Sequence, residues 1–302
     1  MRRLLGIALL SALAAATLGA AEGEKIKAPT RLYSQPRAVS LIQLAGDLAN
    51  VRYVYGSLDR AARLQSRLEL TLRSFERWTG ARLKLDLYVL SRLEWEESRY
   101  DLAYGLPLRV GRLSLAAPAL GDDGTVALWS DLLHGALPRV AGMPLRGTPE
   151  QAATLALADV VVQILLSEIL VDELHLGGDQ HWVRGLVTHV ACRDFYRRHD
   201  PGRLGDLEAM YALLSRDRAP RAMSARDYGP ELGLRDWLWF QAQFHAGAGM
   251  ILEKTGKGAL KKIRKLAKKG GGLTGERLLR EWKPLNEWFH QSFAAVSLRT
   301  GG

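Results

Sequence analysis

A single cysteine, Cys192, serves all 302 residues, so no intramolecular disulfide can close and no cysteine-rich metal cluster can form. Stability must come from packing. Cys192 lies in the apolar helical register of VTHVACRDF, the setting of a buried and inert thiol. The motif G-x-S-x-G does not occur, and GDDG and GKG stand alone, which leaves no pattern for Ser-His-Asp or phosphate-loop chemistry. No histidine lies between His134 and His175, no internal repeat is present, and no low-complexity tract interrupts the chain. What is present is ordinary for a folded protein: 47% hydrophobic residues, with 42 Lys plus Arg against 32 Asp plus Glu.

The first residues, MRRLLGIALLSALAAATLGAAEGEK, place Arg2 and Arg3 before an uncharged run from Leu4 to Leu18, then Gly19, Ala20 and Ala21. That order predicts a secretory signal peptide, residues 1–21, cleaved after Ala21. The other reading is an uncleaved membrane anchor, because a short apolar run can thin the bilayer locally. No lipid-accepting cysteine follows. Two Arg and no acid leave with the segment, so the formal charge falls from +10 to +8. The expectation is an exported, periplasmic or secreted protein with a basic surface.

Residues 22–38 carry charge, two prolines and no periodicity, and read as an extended lead-in. Ser40–Tyr55 and Leu58–Trp78 show apolar residues at helical spacing and predict two amphipathic helices. After Thr79-Gly80 the period changes: LKLDLYVL, LRVGRLSLAA and TVALWS predict a small sheet of three or more strands. From Thr148 onward the pattern is helical again, broken at HLGGDQ, at HDPGR, across Arg216–Gly229 and at the glycines 270–272. The order predicts an α+β fold, with residues 39–148 as helices plus sheet and 149–302 as a helical half, together one compact unit.

The segment TLALADVVVQILLSEILVDEL is apolar almost all round, the mark of a helix buried in the middle of a fold. Asp159, Gln163 and Ser167 interrupt it at i, i+4 and i+8 and so share one face, which predicts a face toward solvent or a cleft. Charges at Asp159, Glu168, Asp172 and Glu173 argue against a membrane span. The next helix, HWVRGLVTHVACRDFYRRH, places Trp182, Leu186, Val190 and Phe195 on the core side, and Gly185 predicts close approach of another backbone.

This pair of segments resembles the active-site half of the gluzincin-type metallopeptidases, the peptidase MA-like superfamily. There, one helix carries H-E-x-x-H and the next carries W-x-x-E-G; two His and the distal Glu bind zinc, and the first Glu acts as general base. ALADVVVQILL lies over the first motif and HWVRGLVTHVA over the second. The resemblance extends through YVLSRLEWEE and YGLPLRVGRLSLAAP, similar to that family's strand region and edge strand, and through WFQAQFHAGAGMILEKTGKGALKKIRKLAKKGG and LNEWFHQSF, similar to its C-terminal helices. It implies a gluzincin-like α+β fold with the former active-site helix in the core. At each functional position this chain departs: Asp159 for the first His, Val160 for the base, Gln163 for the second His, Arg184 for the third ligand. Valine accepts no proton, and arginine brings a permanent charge where a cation would sit. The resemblance therefore implies a pseudo-metallopeptidase without a metal cofactor, in which Asp159 and Arg184 pair across the two helices.

Its expected role is non-catalytic binding of a peptide or cell-envelope partner, with Ser167, His181 and His245 as candidates for the cleft. The alternative is an active envelope hydrolase with a non-standard or displaced metal site. His175, His181 and His189, with Asp172, Glu173 and Asp179, crowd one region but lack i,i+3 or i,i+4 histidine spacing, and predict no metal site. His134, His199 and His290 read as loop or surface residues. The run ALKKIRKLAKK places Lys261, Lys262, Arg264, Lys265, Lys268 and Lys269 around a narrow apolar stripe, a surface helix able to meet an anionic envelope surface. No nucleic-acid partner is expected.

Overall fold

The computed structural model describes residues 28–37, 40–133, 148–214, 224–268 and 272–294. Residues 1–21, His134 and Lys269 lie outside them. Strands β1 (Ile42–Leu44) and β2 (Ala49–Tyr53) are followed by helix α1 (Leu58–Thr79), strand β3 (Leu85–Leu90) and the short helix α2 (Arg92–Glu97). Strands β4 (Leu108–Arg109) and β5 (Ser114–Pro118) and helix α3 (Asp123–Leu132) complete the first half. The second half is helical: α4 (Pro149–Glu173), α5 (His181–His199), α6 (Pro201–Leu214), α7 (Leu234–Thr255), α8 (Ala259–Lys268), α9 (Gly275–Glu281) and α10 (Lys283–Phe289).

The five strands form one mixed sheet in the order β1-β2-β3-β5-β4. β2, β3 and β5 run parallel, while β1 and β4 are antiparallel edges. The α+β class is as the residue patterns predict, but two element assignments are not. Ser40–Tyr55 is the β1–β2 hairpin rather than a helix: Ala49, Val51 and Tyr53 alternate inward while Asn50 and Arg52 do not, and Gly46-Asp47 supplies the turn. TVALWS belongs to helix α3 rather than a strand. Asp122 caps it, its side chain accepting from the Thr125 N–H while the Thr125 hydroxyl meets the Asp122 N–H, which satisfies two of the helix's otherwise unpaired donors.

Helix α4 starts on a second capping box, Thr148 with Gln151, and has Pro149 where its missing N–H costs nothing. It is long and apolar enough by composition to cross a membrane, yet its apolar stretch is almost wholly enclosed by the protein. α1, α3, β5 and α5 all pack against it, and α5 in turn packs on α7. In α5 the side chains of Trp182, Leu186, Val190 and Phe195 are buried. A methyl group on Gly185 would lie 2.5 Å from the Phe244 ring and 3.0 Å from that of Tyr228, so the close neighbour is aromatic side chains rather than a backbone.

Candidate functional site

The stripe of Asp159, Gln163 and Ser167 does share one face of α4, but that face is neither open nor turned to a cleft; all three are buried. Helix α1 presents a matching polar stripe, Arg60, Arg67 and Thr71. Arg60 NH2 stands 2.9 Å from Asp159 Oδ1 and its Nε donates to the Pro118 carbonyl at 2.6 Å. Arg67 lies 3.9 Å from Asp159 Oδ2, and the Thr71 hydroxyl donates to Gln163 Oε1 at 3.2 Å. Val160 is buried among apolar neighbours.

Arg184 does not meet Asp159. Its Nε lies 3.0 Å from Asp172 Oδ1, and Arg109 NH1 of β4 lies 2.8 Å from Asp172 Oδ2, so one carboxylate ties α4, α5 and the sheet edge together. The register explains the change of partner. Asp159 and Asp172 are 13 residues apart on α4, about 20 Å along the axis. The loop between Glu173 and His181 is short, so the start of α5 can reach only the C-terminal end of α4. Beside this bridge sits Glu168, partly buried; burial, with Asp172 adding, pushes its carboxyl up to about 8, and Arg109 and Arg184 oppose the rise. Arg112 and Glu173 form a bidentate pair at the same rim, 2.7 Å on both arms.

Of the cleft candidates, His181 is exposed at the first turn of α5, whereas Ser167 and His245 are enclosed in the core. His245 Nε2 takes a hydrogen bond from Arg193 at 2.7 Å, and Arg193 also pairs with Glu208. His189 Nε2 lies 2.7 Å from Gln241 Oε1, and Gln241 Nε2 donates to the Tyr228 hydroxyl. Burial lowers both imidazoles, His189 to about 4 and His245 to about 2, so both are neutral at pH 7. Cys192 is buried and its thiol is pushed up by burial. His199, expected at the surface, ends α5 partly buried, with Nε2 3.1 Å from the Ser74 hydroxyl.

The zinc that the resembled family binds does not fit these residues. Asp159, the one carboxylate among the four replaced positions, faces two guanidinium groups, and no three His, Cys, Asp or Glu converge among the described residues. On α8, Lys262 lies 2.5 Å from Glu281 and over the Trp282 ring, and Arg264 donates to the Trp78 carbonyl, which leaves Lys261, Lys265 and Lys268 outward. Arg109 and the α1 stripe were not singled out by sequence, and Glu168 and Asp172 drew notice as charges against a membrane span, Asp172 also beside the histidines, but not as this bridge. The signal for the last was there, since residues 60, 67 and 71 share a helical face. No protein-family model, curated protein or solved structure matches the chain.

A second extended segment borders the bridge. Leu32 forms a parallel bridge with Arg109, and the Tyr33 N–H donates to the Arg109 carbonyl at 2.8 Å. The Ala28 N–H donates to the Leu232 carbonyl at 2.9 Å, Arg31 pairs with Asp101, and the Tyr33 ring packs edge-on against Tyr100.

Proposed function

We propose that the chain is an exported, non-catalytic protein on a metallopeptidase-like scaffold, and that it binds an extended peptide of a cell-envelope partner along β4. The observation that carries this is the lead-in itself. After a turn at residues 28–31, Leu32 and Tyr33 already pair with Arg109, so the edge accepts a strand from outside the sheet. Main-chain hydrogen bonds give such an edge affinity, and flanking side chains give it selectivity. Here the flanks are Arg109 with Asp172 and Arg112 with Glu173, an alternating row that suits a peptide of mixed charge.

The metallopeptidase-like part rests at fold level. An antiparallel edge strand beside a long buried helix, with the next helix returning alongside, is in keeping with it. The residue-by-residue correspondence of Asp159 and Arg184 is not. The exposed lysines of α8 are in keeping with contact to an anionic envelope surface.

The test uses a labelled synthetic peptide of residues 28–37 added to protein lacking residues 22–38. Saturable binding, followed by fluorescence polarisation and competed by other extended peptides but not by helical ones, is expected. Failure of the peptide to bind a folded, truncated protein sinks the proposal.

A further inference from the structure

Away from the β4 edge, a cavity of about 90 Å³ opens between α1, α5 and the start of α8. Its floor is apolar, made by Phe75, Trp78, Ala191, Phe195 and Leu260. Its mouth is polar and cationic. Arg198 and Lys257 line it, Arg77 reaches Ser74 at 3.3 Å, and Arg264 holds the Trp78 carbonyl. Against these four cations stands one carboxylate, Asp194, which is held by Arg198 at 2.8 Å. Lys257 is exposed.

The Ser74 and His199 side chains fix the hydrogen-bonding character of the wall. Arg77 donates to the Ser74 oxygen, and the same hydroxyl lies 3.1 Å from His199 Nε2. Burial first, then Arg77 and Arg198, hold the imidazole below its usual range. The indole N–H of Trp78, part of the floor, meets no acceptor among the described residues. An anion at this mouth would find donors and, against the one carboxylate of Asp194, an excess of positive charge, and an attached tail would find an apolar floor. The serine sits in mid-helix on α1, where backbone N–H groups are engaged in the helix, so no backbone oxyanion hole forms beside it.

We propose that this cavity binds a small aliphatic carboxylate, its tail seated on Phe75, Phe195 and Leu260 and its carboxylate among Arg77, Arg198 and Lys257. The size follows from the volume. An apolar cavity of about 150 Å³ takes a whole benzene, so this one takes a tail of about four carbons. The site shares no residue with the peptide edge.

Pentanoate is the probe, with acetate and pentanol as controls, titrated into the full chain while the ring resonances of His199 are followed by NMR. Pentanoate is expected to shift them saturably and to bind about tenfold more tightly than either control. The double variant Arg77→Gln, Lys257→Gln changes two exposed side chains, so its melting temperature should be unchanged while pentanoate binding weakens about fivefold or more. Acetate binding as well as pentanoate means a charged patch only, and pentanol binding as well means an apolar slot only. Either result overturns the proposal, as does a His199 signal unmoved by pentanoate or an affinity the double variant leaves intact.

Discussion

Asp159 illustrates how a buried charge is tolerated. Its carboxylate is met by Arg60 from α1 and approached by Arg67, and Arg60 is itself held by the Pro118 carbonyl. Desolvating both charges offsets most of their attraction, so the pair adds little net stability, yet removing one partner strands the other. Asp159→Ala is therefore expected to cost about 3–5 kcal/mol, and Asp159→Leu with Arg60→Met to recover most of that loss. Arg184 is partly exposed, and its coupling to Asp159 in a double-mutant cycle should be near zero, because its partner is Asp172. Urea melts of the single and double variants check this; an Asp159–Arg184 coupling above about 1 kcal/mol would contradict the pairing described.

At the scale of elements, the apolar period lost once to local chemistry and once to strand pairing. TVALWS reads as a strand by composition, but Asp122 and Thr125 close a capping box in front of it and turn it into α3. Ser40–Tyr55 has apolar residues that satisfy both periods, and the pairing of Val51 with Leu44 and Leu87 decides for the strand. Both signals were legible: a D-D-G-T start and a glycine before alternating residues. The partner of Arg184 was legible too, since helical rise and a short loop confine it to the end of α4. What no residue pattern contained was the meeting of Ser74 with His199 or of Leu32 with Arg109, because those contacts depend on how distant elements pack. Asp122→Ala should cost about 1 kcal/mol, and Asp122→Ser much less, since serine also caps. Denaturant midpoints should show this with unchanged slopes; equal losses for Ala and Ser would mean that the Arg92–Asp122 pair, and not the cap, carries the effect.

Taken as a whole, the molecule has opposing proton linkages. Glu168 titrates near 8 in the fold against about 4.5 unfolded, so the folded state holds the extra proton, and stability falls as pH rises from 4.5 to 8. His189 and His245 titrate at about 4 and about 2 in the fold against 6.5 unfolded, so the unfolded state holds the extra protons, and stability falls as pH drops below 6.5. Between 6.5 and 8 only Glu168 acts; between 4.5 and 6.5 the two histidines outweigh it. The expected optimum is close to pH 6.5, with slopes of about 1.4 kcal/mol per pH unit on either side. Thermal or urea melts from pH 5 to 8.5 check it, and Glu168→Gln should flatten the alkaline limb alone. A stability that keeps rising to pH 8 would show that Glu168 is ionised in the fold at neutral pH.

The hydrogen bond from Ala28 to Leu232 also has a meaning in time. Its two ends are about 200 residues apart, a loop closure of the kind that comes late in folding. A chain made from its N-terminus presents Ala28 early, while the carbonyl that will hold it does not yet exist. Until α7 is made and packed, the outer edge of β4 lacks its strap, and the half-made sheet carries an open strand edge of the kind that invites other chains. A segment made early is thus anchored among the last, and its docking marks the point at which the two halves have come together.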